Sequence, residues 1–405
     1  MSTLDEIGKL PIFKLSLGSK ELFHSNFLEF LWEYEPDHAY FVGMINELLK
    51  KDNRIISLFP SSELGREKEH FDLCLFHEEG KKGRIVYDLI LENKVKSLPD
   101  KGQLDRYVKD IEKKKKGNDP NPVFLLLSLA EDFPSWKEIK DDKNKKWTVV
   151  NYKNLQDAIA KQKWPQTTGF NYIGDYCTFI EKLHLLGKDI LKNLKNEYIF
   201  QDVEAYKEER MHDLYIKLRC VLFLNLLKGE LEKDPRIKGI IPVVFTEHDM
   251  IRKGTKSGLF LNVNIFRGTG QAAVFLYNGS GKEPDKGDIY EIVIQGDQYR
   301  HGINQVEDKE PEVRWKDLTQ GGLSKEFLTS ILGEAPSDGR GVCNHYGKNY
   351  VYKYRKMKTG VPQKTANIQA TRRKTSVNLL DLTVKPLLEK MSKDIIDTAE
   401  KLGII

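Results

Sequence analysis

The chain has 405 residues, 40% of them hydrophobic and 31% charged, the composition of a soluble globular protein of about two or three domains with a sizeable core. No apolar run approaches the roughly twenty residues of a membrane span, and Met1 to Glu6 lacks a basic region followed by an apolar stretch. The expectation is therefore a cytoplasmic protein with no membrane partner. A net charge of +5 excludes a histone-like coating protein and confines any polyanion-binding surface to clusters at Lys81-Lys82, Lys113 to Lys116, Arg355 to Lys358 and Arg372-Arg373-Lys374.

The first predicted element is a helix over Lys20 to Glu33, whose Leu22, Phe23, Phe27, Phe30 and Leu31 recur at helical spacing and bury one side. Ser19 is placed to cap its start. Two short apolar runs follow, Phe71 to Phe76 and Arg84 to Leu91, separated by Glu78 to Gly83, which has the composition of a hairpin turn. Paired as neighbouring strands, they bring Asp72 beside Glu92. Strand side chains alternate between faces, so Glu92 and Lys94 share one face and Asn93 points to the other. This grouping suits a metal ion and a phosphate. Mg2+ is a hard cation held by one or two carboxylates, waters and phosphate oxygens, and a nearby lysine can stabilise developing charge or orient the attacking water. Downstream, Gln103 and Tyr107 stand four residues apart, a spacing that puts both on one helix face.

Val123 to Leu129 and Trp147 to Tyr152 read as further strands, joined by a helical or irregular segment near Phe133 to Ile139. They complete an α/β layered core that extends to about Tyr152. Long helices are predicted over Tyr176 to Leu194 and Glu204 to Leu231, as a helical spacer or a dimer surface. From Ile237 the texture becomes strand-like, with runs at Gly239 to Thr246, Gly258 to Phe266, Gln271 to Tyr277 and Asp288 to Ile294. Tyr350, Tyr352 and Tyr354 share a face at strand spacing, a pattern that more often packs on a sheet than stacks on bases. The polar, basic Gly360 to Ser376 reads as a loop or flexible arm, and Asn378 to Leu402 as a helix interrupted at Pro386. Gly279-Ser280-Gly281-Lys282 lacks the full spacing of a phosphate-binding loop, and Glu283 follows its lysine, so nucleotide hydrolysis is rejected. Cys74, Cys177, Cys220 and Cys343 are far apart without metal-ligand spacing and read as reduced structural thiols.

Taken in order, Asp72, Glu92-x-Lys94 and Gln103-x-x-x-Tyr107 resemble the PD-(D/E)XK nuclease superfamily, in particular its RecB-like branch. The namesake Pro-Asp is replaced by Phe71-Asp72. The resemblance implies an α/β, restriction-endonuclease-like core, a mixed sheet flanked by helices. A helical spacer and a β-rich C-terminal domain would complete the chain, with boundaries at 1–160, 161–235 and 236–405. It implies a nuclease that hydrolyses phosphodiester bonds with Mg2+ or Mn2+, with Asp72 and Glu92 as metal ligands and Lys94 at the scissile phosphate. Gln103 and Tyr107 would orient that lysine or the substrate backbone. Resembling families place a glutamate on the first helix facing the metal. Glu21 suits that place, with His24 one turn later, and Glu67, then Glu63 or Glu69, are the rivals. DNA is the expected substrate and RNA stays open, because metal chemistry neither requires nor forbids a 2′-hydroxyl. A two-fold homodimer suits enzymes that cut both strands. Resembling proteins often serve in bacterial anti-phage defence. The alternative is a nucleic-acid-binding or assembly protein that keeps the nuclease fold as a scaffold.

Overall fold

The computed structural model describes residues 3–16, 21–34, 37–80, 83–97, 99, 101–115, 121–129, 146–164, 171–192, 203–237, 240–243, 258–266, 269–277, 289–295, 298–304, 340–345, 348–356, 366–372 and 383–405. Contacts divide the chain into two compact units, one of residues 1–192 and 202–218, the other of 193–201 and 219–405.

In the first unit, α1 (Thr3–Gly8), α2 (Pro11–Leu15), α3 (Glu21–Glu33) and α4 (Ala39–Leu49) precede β1 (Ser62–Arg66), β2 (Leu73–Glu79) and β3 (Arg84–Lys94). They are followed by α5 (Lys101–Lys114), β4 (Val123–Ser128), β5 (Trp147–Asn151), α6 (Tyr152–Ala160), α7 (Tyr172–Leu191), α8 (Val203–Glu208) and the first turns of α9 (His212–Leu231). The strands form one sheet in the order β1-β2-β3-β4-β5. The first three are antiparallel neighbours, while β4 and β5 run parallel to β3, so the sheet is mixed and flanked by helices as expected.

The hairpin between β2 and β3 turns on Gly80 and Gly83, at φ 74° and 60°, values that favour a residue without Cβ. Between Leu75 and Phe76 the register slips, leaving Asp88 unpaired in the ladder, where its carboxylate meets His77 Nδ1 at 2.8 Å. Strand β4 is buried along Phe124 to Ser128, and β3 from Leu89 to Lys94, as befits central strands covered on both faces. Phe27, Leu28 and Leu31 of α3 and Phe41, Met44, Ile45 and Leu48 of α4 supply the apolar stripes of their helices. Strand β5 passes straight into α6 through a capping box, in which Asn151 and Asn154 bond each other's backbone N–H. Helix α6 packs on α4 and α7, and α7 in turn on α1 and α2. Cys74, Cys177 and Cys220 are free thiols.

The helix expected over Glu204 to Leu231 is two helices. Arg210 takes a left-handed φ of 56°, and the Met211 N–H closes on the Tyr206 carbonyl at 2.8 Å, ending α8 before α9 begins.

The second unit contains the remainder of α9, a five-stranded sheet and a three-stranded sheet. The larger sheet has the order β10-β9-β8-β7-β6, from β6 (Ile240–Val243), β7 (Gly258–Phe266), β8 (Thr269–Tyr277), β9 (Ile289–Gln295) and β10 (Gln298–Asn304). Ala272, Val274, Leu276, Ile292 and Ile294 are buried in it. The smaller sheet joins β11 (Arg340–His345), β12 (Lys348–Lys356) and β13 (Ala366–Arg372), with Tyr350, Tyr352 and Tyr354 of β12 opposite Arg372, Ala370 and Ile368. The stretch expected as a loop over Gly360 to Ser376 thus contains a strand. Helix α10 (Val384–Lys401) packs on β9. It starts at Val384, so Pro386 lies in its first turn and does not interrupt it, because first-turn N–H groups have no intrahelical acceptor to lose. Ser19, Phe133 to Ile139 and Gly279 to Lys282 lie outside the described residues.

Candidate active site

The end of β3 is where the sheet holds polar side chains at depth. Glu92, Asn93 and Lys94 are 2%, 0% and 8% exposed. Strand β4 pairs alongside, Glu92 opposite Leu126 and Lys94 opposite Ser128, and the Leu129 N–H donates to the Lys94 carbonyl. Asp72 immediately precedes β2, and its Oδ2 accepts the Asn93 N–H at 2.6 Å. Such a bond to a carboxylate is charge-assisted, and it fixes Asp72 beside Glu92.

Lys94 Nζ lies 2.7 Å from Glu92 Oε1, while Glu92 Oε2 is buried with no hydrogen-bond partner. Burial is the main force raising the Glu92 pKa to about 7; Lys94 opposes it and Asp72 and Glu21 add to it. Burial also raises Asp72, against the Asn93 N–H and Lys94. For Lys94, burial pushes downward, but Glu92, backed by Glu21 and Asp72, outweighs it, so the ammonium is held more firmly than usual. Glu92 therefore gives up its proton only near pH 7 while Lys94 stays an ammonium, because one lysine faces several carboxylates. The cluster has room for another positive charge.

Glu21 opens α3. Its Oε1 accepts the Val95 and Ser97 N–H groups at 3.1 and 2.8 Å and the Ser97 hydroxyl, anchoring the turn that leaves β3. Any coordination by Glu21 would fall to its other oxygen. His24, one turn on, faces the core instead: it is fully buried, stacks on Phe179 and meets the Tyr176 hydroxyl at 2.9 Å. Burial lowers its pKa to about 3, so it is neutral. Glu63 and Glu67 are exposed, and Glu69 pairs with Lys114 of α5.

Gln103 and Tyr107 occupy one face of α5, as their spacing predicts. Gln103 Nε2 donates to the Tyr107 hydroxyl at 2.7 Å, and that hydroxyl donates to the His70 carbonyl at 3.0 Å. These bonds brace the chain entering Asp72 rather than the lysine. Burial, then the Glu92 carboxylate, raises the Tyr107 pKa, keeping the phenol a neutral donor. Of the lysine run, Lys113 pairs with Asp110, Lys114 with Glu69, and Lys115 donates to Asn121.

Sequence reasoning missed the hub. Besides its N–H bond to Asp72, Asn93 donates from Nδ2 to the Glu21 carbonyl at 3.0 Å and accepts from the Tyr152 hydroxyl through Oδ1. It thereby ties α3, β3 and α6 together behind the carboxylates. Its only signal in the sequence is its place between Glu92 and Lys94.

Among the described residues no group of three or more His, Cys, Asp and Glu side chains converges as a metal cage. Asp72 and Glu92, with its unpartnered buried oxygen, nonetheless have the hard donors for a divalent cation that keeps several waters. Residues 11–178 match the family model of the PD-(D/E)XK nuclease superfamily. The matched segment contains Glu21, Asp72, Glu92, Lys94, Gln103 and Tyr107. No curated protein and no solved structure matches the chain. The match suggests a nuclease, and nucleases of that superfamily generally use divalent metal ions, usually Mg2+. No helix among the described residues is long and apolar enough to cross a membrane.

Proposed function

We propose that the protein is a Mg2+- or Mn2+-dependent endodeoxyribonuclease, with its nuclease domain in residues 1–160 and the RecB-like Gln-x-x-x-Tyr arrangement at Gln103 and Tyr107. The observation that carries this reading is the buried Glu92 carboxylate, one oxygen on Lys94 and the other without a partner, next to Asp72. Asp72 and Glu92 hold the metal, with Glu21 completing its shell. When bound, the ion acidifies a water and neutralises phosphate charge. Lys94, kept as an ammonium by the carboxylates around it, acts as a donor and not as a base. It hydrogen-bonds a nonbridging phosphate oxygen or the attacking water as negative charge builds at phosphorus. Gln103 and Tyr107 hold the segment leading to Asp72, and Asn93 holds Asp72 itself. Water adds to phosphorus as the bond to the leaving sugar oxygen breaks. A cytoplasmic homodimer acting in anti-phage defence is the setting to which the family resemblance points.

The test is cleavage of supercoiled plasmid, linear duplex, single-stranded DNA and RNA with Mg2+, Mn2+ or a chelator. Metal-dependent cutting of DNA is expected, reduced on the order of 100-fold or more in Lys94→Ala, the scale of losing a key charge-stabilising donor. Cutting of RNA alone would move the substrate class. No cutting of any substrate would favour a scaffold or assembly role.

A further inference from the structure

A second lysine reaches the margin of this site from outside the segment matched to the superfamily. Lys217 lies on α9, and its Nζ donates to the Lys96 carbonyl at 2.6 Å, two residues beyond Lys94. In return Lys96 Nζ donates to the carbonyl of Arg210, the left-handed residue between α8 and α9, at 2.7 Å. Glu21 grips the same Val95–Ser97 turn through the Val95 and Ser97 N–H groups. The turn that leaves the catalytic strand is thus held by α3 on one hand and by the α8–α9 segment on the other.

Lys217 is half-buried, and among the described residues no carboxylate pairs with it. Burial lowers its pKa, Glu21 and Asp213 oppose that, and Lys94 adds to it, so its ammonium senses both the glutamate and the lysine of the site. A carbonyl can be held by any neutral donor. An ammonium placed there instead brings a desolvation cost that one carbonyl offsets only in part, and an anion would offset the rest. A substrate phosphate entering beside Glu21, Asp72 and Glu92 also needs positive charge close by. A lysine suits this because it binds phosphate as a point charge without demanding one fixed geometry.

We propose that Lys217 seats a backbone phosphate of the DNA strand next to the one being cleaved, a role that rests on the nuclease reading above. It is a substrate-binding residue and takes no part in the chemical step.

The experiment is steady-state cleavage of a fluorescent duplex with Mg2+ at several salt concentrations, comparing wild type with Lys217→Met and Lys217→Arg. Methionine keeps the packed stem and removes the charge, and thermal melting checks that each variant folds. For Lys217→Met the expected result is a KM raised about tenfold, kcat within about threefold of wild type, and a salt slope of log KM smaller by about one, as for loss of one phosphate contact. Lys217→Arg should restore most of the affinity. Wild-type KM and salt slope in Lys217→Met, in a wild type that cuts, would overturn the proposal and leave the nuclease reading intact. Equal losses of kcat and melting temperature in both variants would also overturn it, marking Lys217 as a structural clamp. A wild type that neither cuts nor binds the duplex would overturn the nuclease reading, and this role with it.

Discussion

Glu92 keeps one oxygen on Lys94 and the other buried without a partner, and that arrangement makes its charge depend on what else the site holds. In the unfolded chain a glutamate ionises near 4.5, whereas in the fold burial moves Glu92 to about 7. Between those values the folded protein binds a proton that the unfolded chain has released, so without metal Glu92 makes stability fall as pH rises from about 4.5 to about 7. Glu92→Gln imitates the protonated form at every pH. In chelator, the wild-type melting temperature should therefore drop relative to that of Glu92→Gln between pH 5 and pH 8. A difference that stays constant across this range would show that Glu92 is not perturbed. The motif carboxylates and Lys94 were legible in the sequence because strand alternation is local. The roles of Asn93 and Tyr152 were not, since the hydroxyl and amide that meet lie 59 positions apart. His24 illustrates the converse, since its helical spacing from Glu21 suggested a shared site, yet the aromatic core of Tyr152, Tyr176 and Phe179 claims it.

At the scale of elements, the site depends on how the chain enters β2. Glu67, Glu69 and His70 all take left-handed φ angles, of 52°, 55° and 76°, a conformation that L-residues adopt only when their surroundings impose it. The Tyr107 hydroxyl on the His70 carbonyl is one such constraint, and the Phe71 and Tyr107 rings meet edge-to-face beside it. Tyr107→Phe keeps the ring and removes the bond. It should lower stability by about 1 kcal/mol and reduce cleavage by misplacing Asp72, with KM less affected than kcat. Urea melts and steady-state kinetics together check this, and an unchanged kcat would mean that α5 does not position Asp72. Strand and helix placement in the first unit was readable from apolar periodicity. The break at Arg210 was not, because no Gly or Pro marks it, and the turn is held by the Met211 bond to the Tyr206 carbonyl together with the distant Lys96 bond to the Arg210 carbonyl. The β13 strand escaped notice because its short alternation of Ala366, Ile368 and Ala370 with polar residues lies within a polar, basic stretch, and it is the pairing with β12 that marks it as a strand.

Over the whole molecule, one chain forms two compact units, the first with Leu75, Ile90 and Leu125 among its buried residues, the second with Val274, Ile292 and Leu387. Chains built this way depart from two-state unfolding, so calorimetry should resolve two transitions. A divalent ion that binds only the folded first unit stabilises only that unit. The most direct test of the account is the melting of wild type and Asp72→Ala with Mg2+, with Mn2+ and with chelator. The account predicts that metal raises one of the two transitions in wild type, leaves the other in place, and moves neither in Asp72→Ala. Equal metal-induced shifts in wild type and Asp72→Ala would contradict the cation seat at Asp72 and Glu92.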